Sequence, residues 1–170
     1  IFGATTIGEG LLAVPPAVDS ASDQDLAQLA TLIAEKAPSQ LPGYLQCLPE
    51  RGSLVPYLYN ASFPVPRAQS LAILSKVISL PEPAQSAEAA RTAYVMAWNN
   101  ACIHAHALGD YQRASQLAYQ AQRFGPENPY IFHSAACAYA AQGQTDRAIA
   151  QIKSAIAHGY DHVETMETDV

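Results

Sequence analysis

The stretch Asn99 to Ala114, NNACIHAHALGDYQRA, sets Cys102, His104, His106 and Asp110 close together. Imidazole, thiolate and carboxylate are the groups that hold transition metals and serve as nucleophile or base. A His-x-His pair chelates on a strand, where alternate residues share a face. On a helix each residue turns about 100°, so His104 and His106 diverge by about 200° and cannot close on one ion. His158 and His162 are spaced to share a helical face, but Gly159 between them marks a turn. Cys102 and Cys137 stand among small residues and read as packed thiols, which behave as small hydrophobes. A nucleophilic cysteine wants a basic neighbour, for which His106 and His133 are the candidates.

Other matches are weaker. Gly8-x-Gly10-x-x-Ala13 has the letters of a dinucleotide fingerprint. That motif needs a full helix after it to meet the pyrophosphate, and Pro15-Pro16 leave one turn at most. No Gly-x-Ser-x-Gly elbow, phosphate loop, His-Glu-x-x-His or Cys-x-x-Cys occurs. Asn60-Ala61-Ser62 is a glycosylation triplet, which bears only on a secreted chain. No catalytic residue, metal or cofactor is therefore expected.

Nine Lys and Arg against fifteen Asp and Glu give a net charge of −6, with no basic run. Nucleic-acid binding needs clustered cations to displace counterions from phosphates, so that class is set aside. No polybasic anchor and no apolar run long enough for a membrane span is visible. Three cysteines, an odd and low count, argue against a disulfide framework and for a reducing, cytoplasmic setting. The chain opens at Ile1 with an apolar stretch that lacks a positive leading segment and carries Glu9, so it reads as a segment of a longer protein.

The elements that must position any site are helices. Residues 1–20 read as irregular. Ser20 or Ser22 caps a helix carrying Leu26, Leu29, Ala30 and Ile33 on one face, which Pro38 stops. Six prolines between 38 and 66 permit only short helical turns, with Tyr44, Tyr57, Tyr59 and Phe63 as apolar bulk. A helix over 67–80 presents Leu71, Leu74 and Ile78. Residues 84–108, without Gly or Pro, read as one long helix closed by Gly109. Its stripe of Ala84, Ala87, Ala90, Tyr94, Ala97 and Ala101 would suit close packing on another helix. Two segments follow from this, 1–80 and 84–170, expected to pack as one unit.

Shifted by 34 residues, 95–128 overlies 129–162 with seven identities: Ala101/Ala135, Ala107/Ala141, Gly109/Gly143, Arg113/Arg147, Ala114/Ala148, Ala121/Ala155 and Gly125/Gly159. Each unit reads as helix, Gly turn, helix. The period and pattern resemble the tetratricopeptide repeat (TPR). The second unit supplies Phe132, Ala135-Ala136, Tyr139, Gly143, Ala148, Ile152 and Ala155, with Tyr160 where Pro is usual. The first supplies Trp98, Ala101-Cys102, Ala105, Gly109, Ala114, Ala118, Ala121 and Pro126. Ala105 and Ala118 stand where bulky residues are usual, so that unit's core must be filled from elsewhere, with Tyr94, Tyr111 and Tyr119 as candidates. No third unit aligns at 61–94. The residues after Gly159 look like the start of a capping helix.

The fold class expected is all-α, a TPR-like array of helical hairpins with a helical, proline-rich N-terminal cap region. The resemblance implies that the first helix of each unit lines a groove for a protein or peptide partner. Asn99, Ile103 and His106 then face it from one unit, and Tyr130, His133 and Cys137 from the next. With no Lys or Arg among them, clamping of a C-terminal carboxylate is not expected. The chain's own N-terminal segment or a neighbouring domain is an alternative occupant of that groove. The expected function is an interaction or scaffold module without chemistry of its own. Rival readings are a metal-dependent hydrolase using histidines and a structural spacer or dimerisation element built on the alanine stripe.

Overall fold

A computed structural model describes residues 20–162. The expectations for residues 1–19, including the glycine motif and the paired prolines, and for the segment after His162 lie outside these. Among the described residues there are eight α-helices and no strand: α1 (Asp23–Lys36), α2 (Leu41–Gln46), α3 (Val55–Ala61), α4 (Arg67–Ser79), α5 (Glu88–Ala107), α6 (Tyr111–Phe124), α7 (Pro129–Ala140) and α8 (Thr145–Ala157).

Local chemistry explains where they start and stop. The Ser22 side chain accepts from the Asp25 N–H at 3.1 Å and caps α1. Asp23 and Asp25 in its first turn and Lys36 in its last complement the helix dipole. Asp23 also accepts from Arg51 Nε at 2.7 Å, tying the start of α1 to the loop before α3. The prolines between 38 and 66 act mainly as helix starters. Pro42 and Pro56 occupy the first turns of α2 and α3, where a missing N–H costs nothing. Leu41, Leu45, Leu48, Leu54, Val55 and Leu58 bury this region. The aromatic residues contribute less than their size promises. Tyr44 is buried, its hydroxyl donating to the Leu26 carbonyl at 2.8 Å, but Tyr57 and Phe63 stay exposed.

The long helix is shorter than its sequence allows. Residues 84–87 form an exposed turn closed by the Ala87 N–H on the Ala84 carbonyl, and α5 begins at Glu88. Helix propensity alone does not hold a turn that buries nothing. The alanine stripe is correspondingly reassigned. Ala84 and Ala87 lie outside the helix, while Ala97 and Ala101 are wholly buried inside this chain. The close-packing surface is used within the molecule, which removes the basis for the dimerisation reading.

The turns of the two recognised units share one device. Gly109, Gly143 and Gly159 take φ of +82°, +69° and +87°. After each, an N–H reaches back to the last helical turn: Asp110 to the Ala105 carbonyl, Gln144 to Tyr139 and Tyr160 to Ala155, at 2.9–3.0 Å. Asp110 and Asn128 then cap α6 and α7 through their side chains. Gly125, matched to Gly159 by the repeat, does something else. Its φ is −134°, and a side chain there would meet Val95 Cγ1 at 2.5 Å and Ile131 Cδ1 at 2.9 Å. It is glycine because α5 and α7 crowd it.

Packing follows one rule along the chain. α1 lies on α3, α3 on α5 and α5 on α7, while the second helices α4 and α6 each bridge to the first helix that follows them. The layers are α1–α2, α3–α4, α5–α6 and α7–α8, so the hairpin stacking extends upstream of the two units that the 34-residue period reveals. Buried side chains from Leu26 in α1 to Ala138 in α7 form one continuous core. Of the three tyrosines expected to fill the first unit's core, Tyr94 is buried, and it packs with Trp98 and Phe124. Tyr94 sets its edge to Phe124 at 5.3 Å, and Trp98 stacks on Phe124 at 5.6 Å. Tyr111 and Tyr119 are exposed instead.

Candidate functional site

The first-helix face is built from α5 and α7, with α3 beside α5. On α5, Asn99 is only 3% exposed. Its Nδ2 donates to Asn100 Oδ1 at 3.5 Å, whereas its own Oδ1 is buried with no hydrogen-bond partner. Asn100 Nδ2 in turn donates to the Tyr59 hydroxyl at 3.2 Å, linking α5 to α3. Ile103, one turn on from Asn99, is 45% exposed. His106 is half-buried, with its ring 5.2 Å from Tyr111 at the start of α6.

On α7, Tyr130 and His133 meet a fourth residue, and Cys137 lies beside His133. Tyr160, which follows the turn after α8, is buried. The His133 ring stacks on it at 4.7 Å and 17°, and Tyr130 meets it edge-on at 5.6 Å. Cys137 Sγ lies 3.9 Å from His133 Nε2, as residues four apart on a helix should. Tyr130 itself stays 44% exposed. The structure therefore groups Tyr130, His133 and Cys137, places Asn99 and Ile103 on the adjacent helix, and turns His106 to Tyr111. Tyr160, Asn100 and Tyr59 join the face without having been singled out for it. The one signal for Tyr160 was its position, an aromatic where the repeat pattern has proline.

The arrangement offers little to acid–base or metal chemistry. Burial, then the charge of nearby Arg67, lowers the His104 pKa, and its Nδ1 is buried without a partner. His104 and His106 thus meet different neighbours, as the helical geometry requires. His158 stacks on Phe132 and its Nδ1 lies 2.8 Å from the Ser154 carbonyl, while His162 lies beside Asp161 and Tyr130. Burial pushes the Cys102 thiol up to about 12, and it contacts the Ser134 carbonyl at 3.8 Å. Among the described residues no three His, Cys, Asp or Glu side chains converge to hold a metal ion. Ser62, the hydroxyl of the glycosylation triplet, is buried and donates to the Tyr59 carbonyl.

The deciding likeness is to solved structures. The crystal structure of MamA, a TPR-containing protein, superposes with a TM-score of 0.54 at 17% identity, over 84% of this chain and 81% of that one. The fold is a TPR-like helical-repeat array. A second MamA structure gives a TM-score of 0.53 at 17% identity, covering 81% of this chain and 73% of the other. At such identity the likeness concerns the fold. Coverage of that extent takes in the N-terminal hairpins as well as the two units visible in the sequence. No protein-family model matches the sequence, and no curated protein matches it. No helix among the described residues is long and apolar enough to cross a membrane.

Proposed function

We propose that this chain is a protein–protein interaction module, a scaffold without catalysis of its own, that binds a peptide or partner surface along its first-helix face. The observation that carries the reading is the pair of large apolar side chains left exposed there, Ile103 on α5 and Tyr130 on α7. Anchors of this kind supply most of the energy of a peptide interface, with neighbouring contacts excluding water. Asn99, expected to touch the partner, is buried and backs the face from within instead. His133 and Cys137 support Tyr130 from beneath through Tyr160, and His106 forms the rim with Tyr111. None of the six is Lys or Arg, so the partner is held by apolar and main-chain contacts rather than by a terminal carboxylate. The odd, low count of three cysteines goes with a reducing, cytoplasmic setting for such a module.

Two substitutions test this. Ile103→Ala and Tyr130→Ala remove exposed side chains and leave the core intact, so helical circular dichroism should be unchanged. Each variant, immobilised beside the parent protein in extract from the source cells, should lose the proteins that the parent retains. Equal capture by parent and variants would sink the reading.

A further inference from the structure

Six of the seven identities between the two repeat units are Ala or Gly, which packing and turns account for. The seventh is Arg113/Arg147, and both arginines are exposed. Packing does not explain why a cation recurs at the same place in each unit. Position does: both line one cleft of about 570 Å³ on the second-helix side, between α6 and the start of α8, with Trp98 and Tyr139 also in its wall. No carboxylate lines it.

Each guanidinium is held but not neutralised. Arg113 Nη2 donates to Ser75 Oγ of α4 at 2.7 Å, so this side chain spans from the cleft to a neighbouring hollow lined by Glu50 and Lys76. Arg147 Nη1 donates to Gln144 Oε1 at 2.9 Å, and its guanidinium lies 5.8 Å from the centre of the Tyr139 ring. These neutral contacts orient the planar forks and leave most of their five N–H donors open. Arg51, Lys76 and Arg91 are matched by Asp23, Glu50 and Glu82, whereas Lys36, Arg67, Arg123 and Lys153 are not matched among the described residues; what sets the two arginines apart is that they line one cleft. Arg113 and Arg147 make no ion pair among the described residues. In a chain of net charge −6, two oriented cations in a cleft without acids form a local complement to negative charge.

We propose that this cleft docks an acidic peptide segment of a partner protein, whose carboxylates pair with Arg113 and Arg147. Fork-shaped guanidinium matches carboxylate in two parallel hydrogen bonds. Gln116 and Gln120 line the cleft as further polar groups, and the Tyr139 ring, beneath the Arg147 guanidinium, forms part of its wall. Nucleic acid is the poorer fit, because two cations release too few counterions to hold a phosphate backbone. The site is separate from the first-helix face and gives the array a second side with a different chemistry.

The probe is a fluorescein-labelled oligoglutamate peptide, titrated with the full chain and followed by anisotropy at low and then rising salt. Binding should weaken as salt rises. Arg113→Gln and Arg147→Gln should each lower affinity by about three-fold, and the double variant by about ten-fold. Lys153→Gln removes the same charge from α8 outside the cleft and should leave affinity unchanged. Ser75 loses a partner in the Arg113 variant, so Arg147→Gln, which disturbs no contact between hairpins, is the cleaner arm. Absence of binding by the parent protein, or an equal loss with Lys153→Gln, would overturn the site. Equal or tighter binding of heparin or anionic vesicles, with the same dependence on both arginines, would overturn an acidic peptide as its occupant.

Discussion

Burial separates the reactive from the inert among the side chains that first suggested chemistry. Cys102 shows no surface, and a thiol pushed to about 12 carries almost no thiolate at neutral pH. His104 is perturbed in the opposite sense for a base. Its imidazole takes up a proton less readily than the ordinary 6.5, because burial and then the charge of Arg67 disfavour the cation. The unfolded chain then binds that proton at a higher pH than the folded one. The neutral state's contribution is complete above 6.5 and is lost as pH falls from there toward the lower folded value. Urea unfolding midpoints should therefore decrease below neutral pH, and His104→Gln should flatten part of that decrease. An unaltered pH slope in the variant would show that His104 titrates freely. The geometry that separates His104 from His106 was legible from helical periodicity. The partners of each were not, because Arg67 and Tyr111 belong to other helices.

Glycine illustrates how elements resolve what letters leave equal. The repeat pairs Gly125 with Gly159 as readily as Gly109 with Gly143. Gly109, Gly143 and Gly159 sit in the left-handed region with open space where a side chain would point. Gly125 does not; Val95 and Ile131 close over it. Substitution should tell the two kinds apart. Gly109→Ala pays for its backbone angle, about 1–2 kcal/mol, and Gly109→Asn recovers much of that because asparagine tolerates the left-handed region. Gly125→Ala forces apart a packed contact at about 1–3 kcal/mol, and Gly125→Asn should be worse, not better. Chemical unfolding of the four variants measures the order. Equal rescue by asparagine at both positions would refute the crowding at Gly125. The same limit explains Phe124 and Tyr160. Both fill space between helices that the sequence pattern shows only one at a time.

At the scale of the molecule, the stacked hairpins extend well beyond the period that announces them. The 34-residue spacing covers α5 to α8 because those turns reuse one glycine cap and one set of small contacts. Upstream, α2 and α3 are brief helices started by prolines, and their spacing departs from 34 residues. The same stacking is achieved there with leucines in place of alanines, so period and residue types both change while the packing rule persists. That stretch read from sequence only as helical and proline-rich. Continuity of the core has a consequence for stability. Leu74 in α4 is fully buried within the cluster that runs from α1 to α7. Leu74→Ala should cost about 2–5 kcal/mol. The sole tryptophan, Trp98, lies in the next hairpin and reports on the recognised repeats. If the layers unfold as one cooperative unit, its fluorescence transition and the helical circular dichroism should shift together in the variant and remain superimposed. A tryptophan transition left in place while part of the helical signal melts earlier would mean that the N-terminal hairpins fold apart from the repeats, against the continuous core.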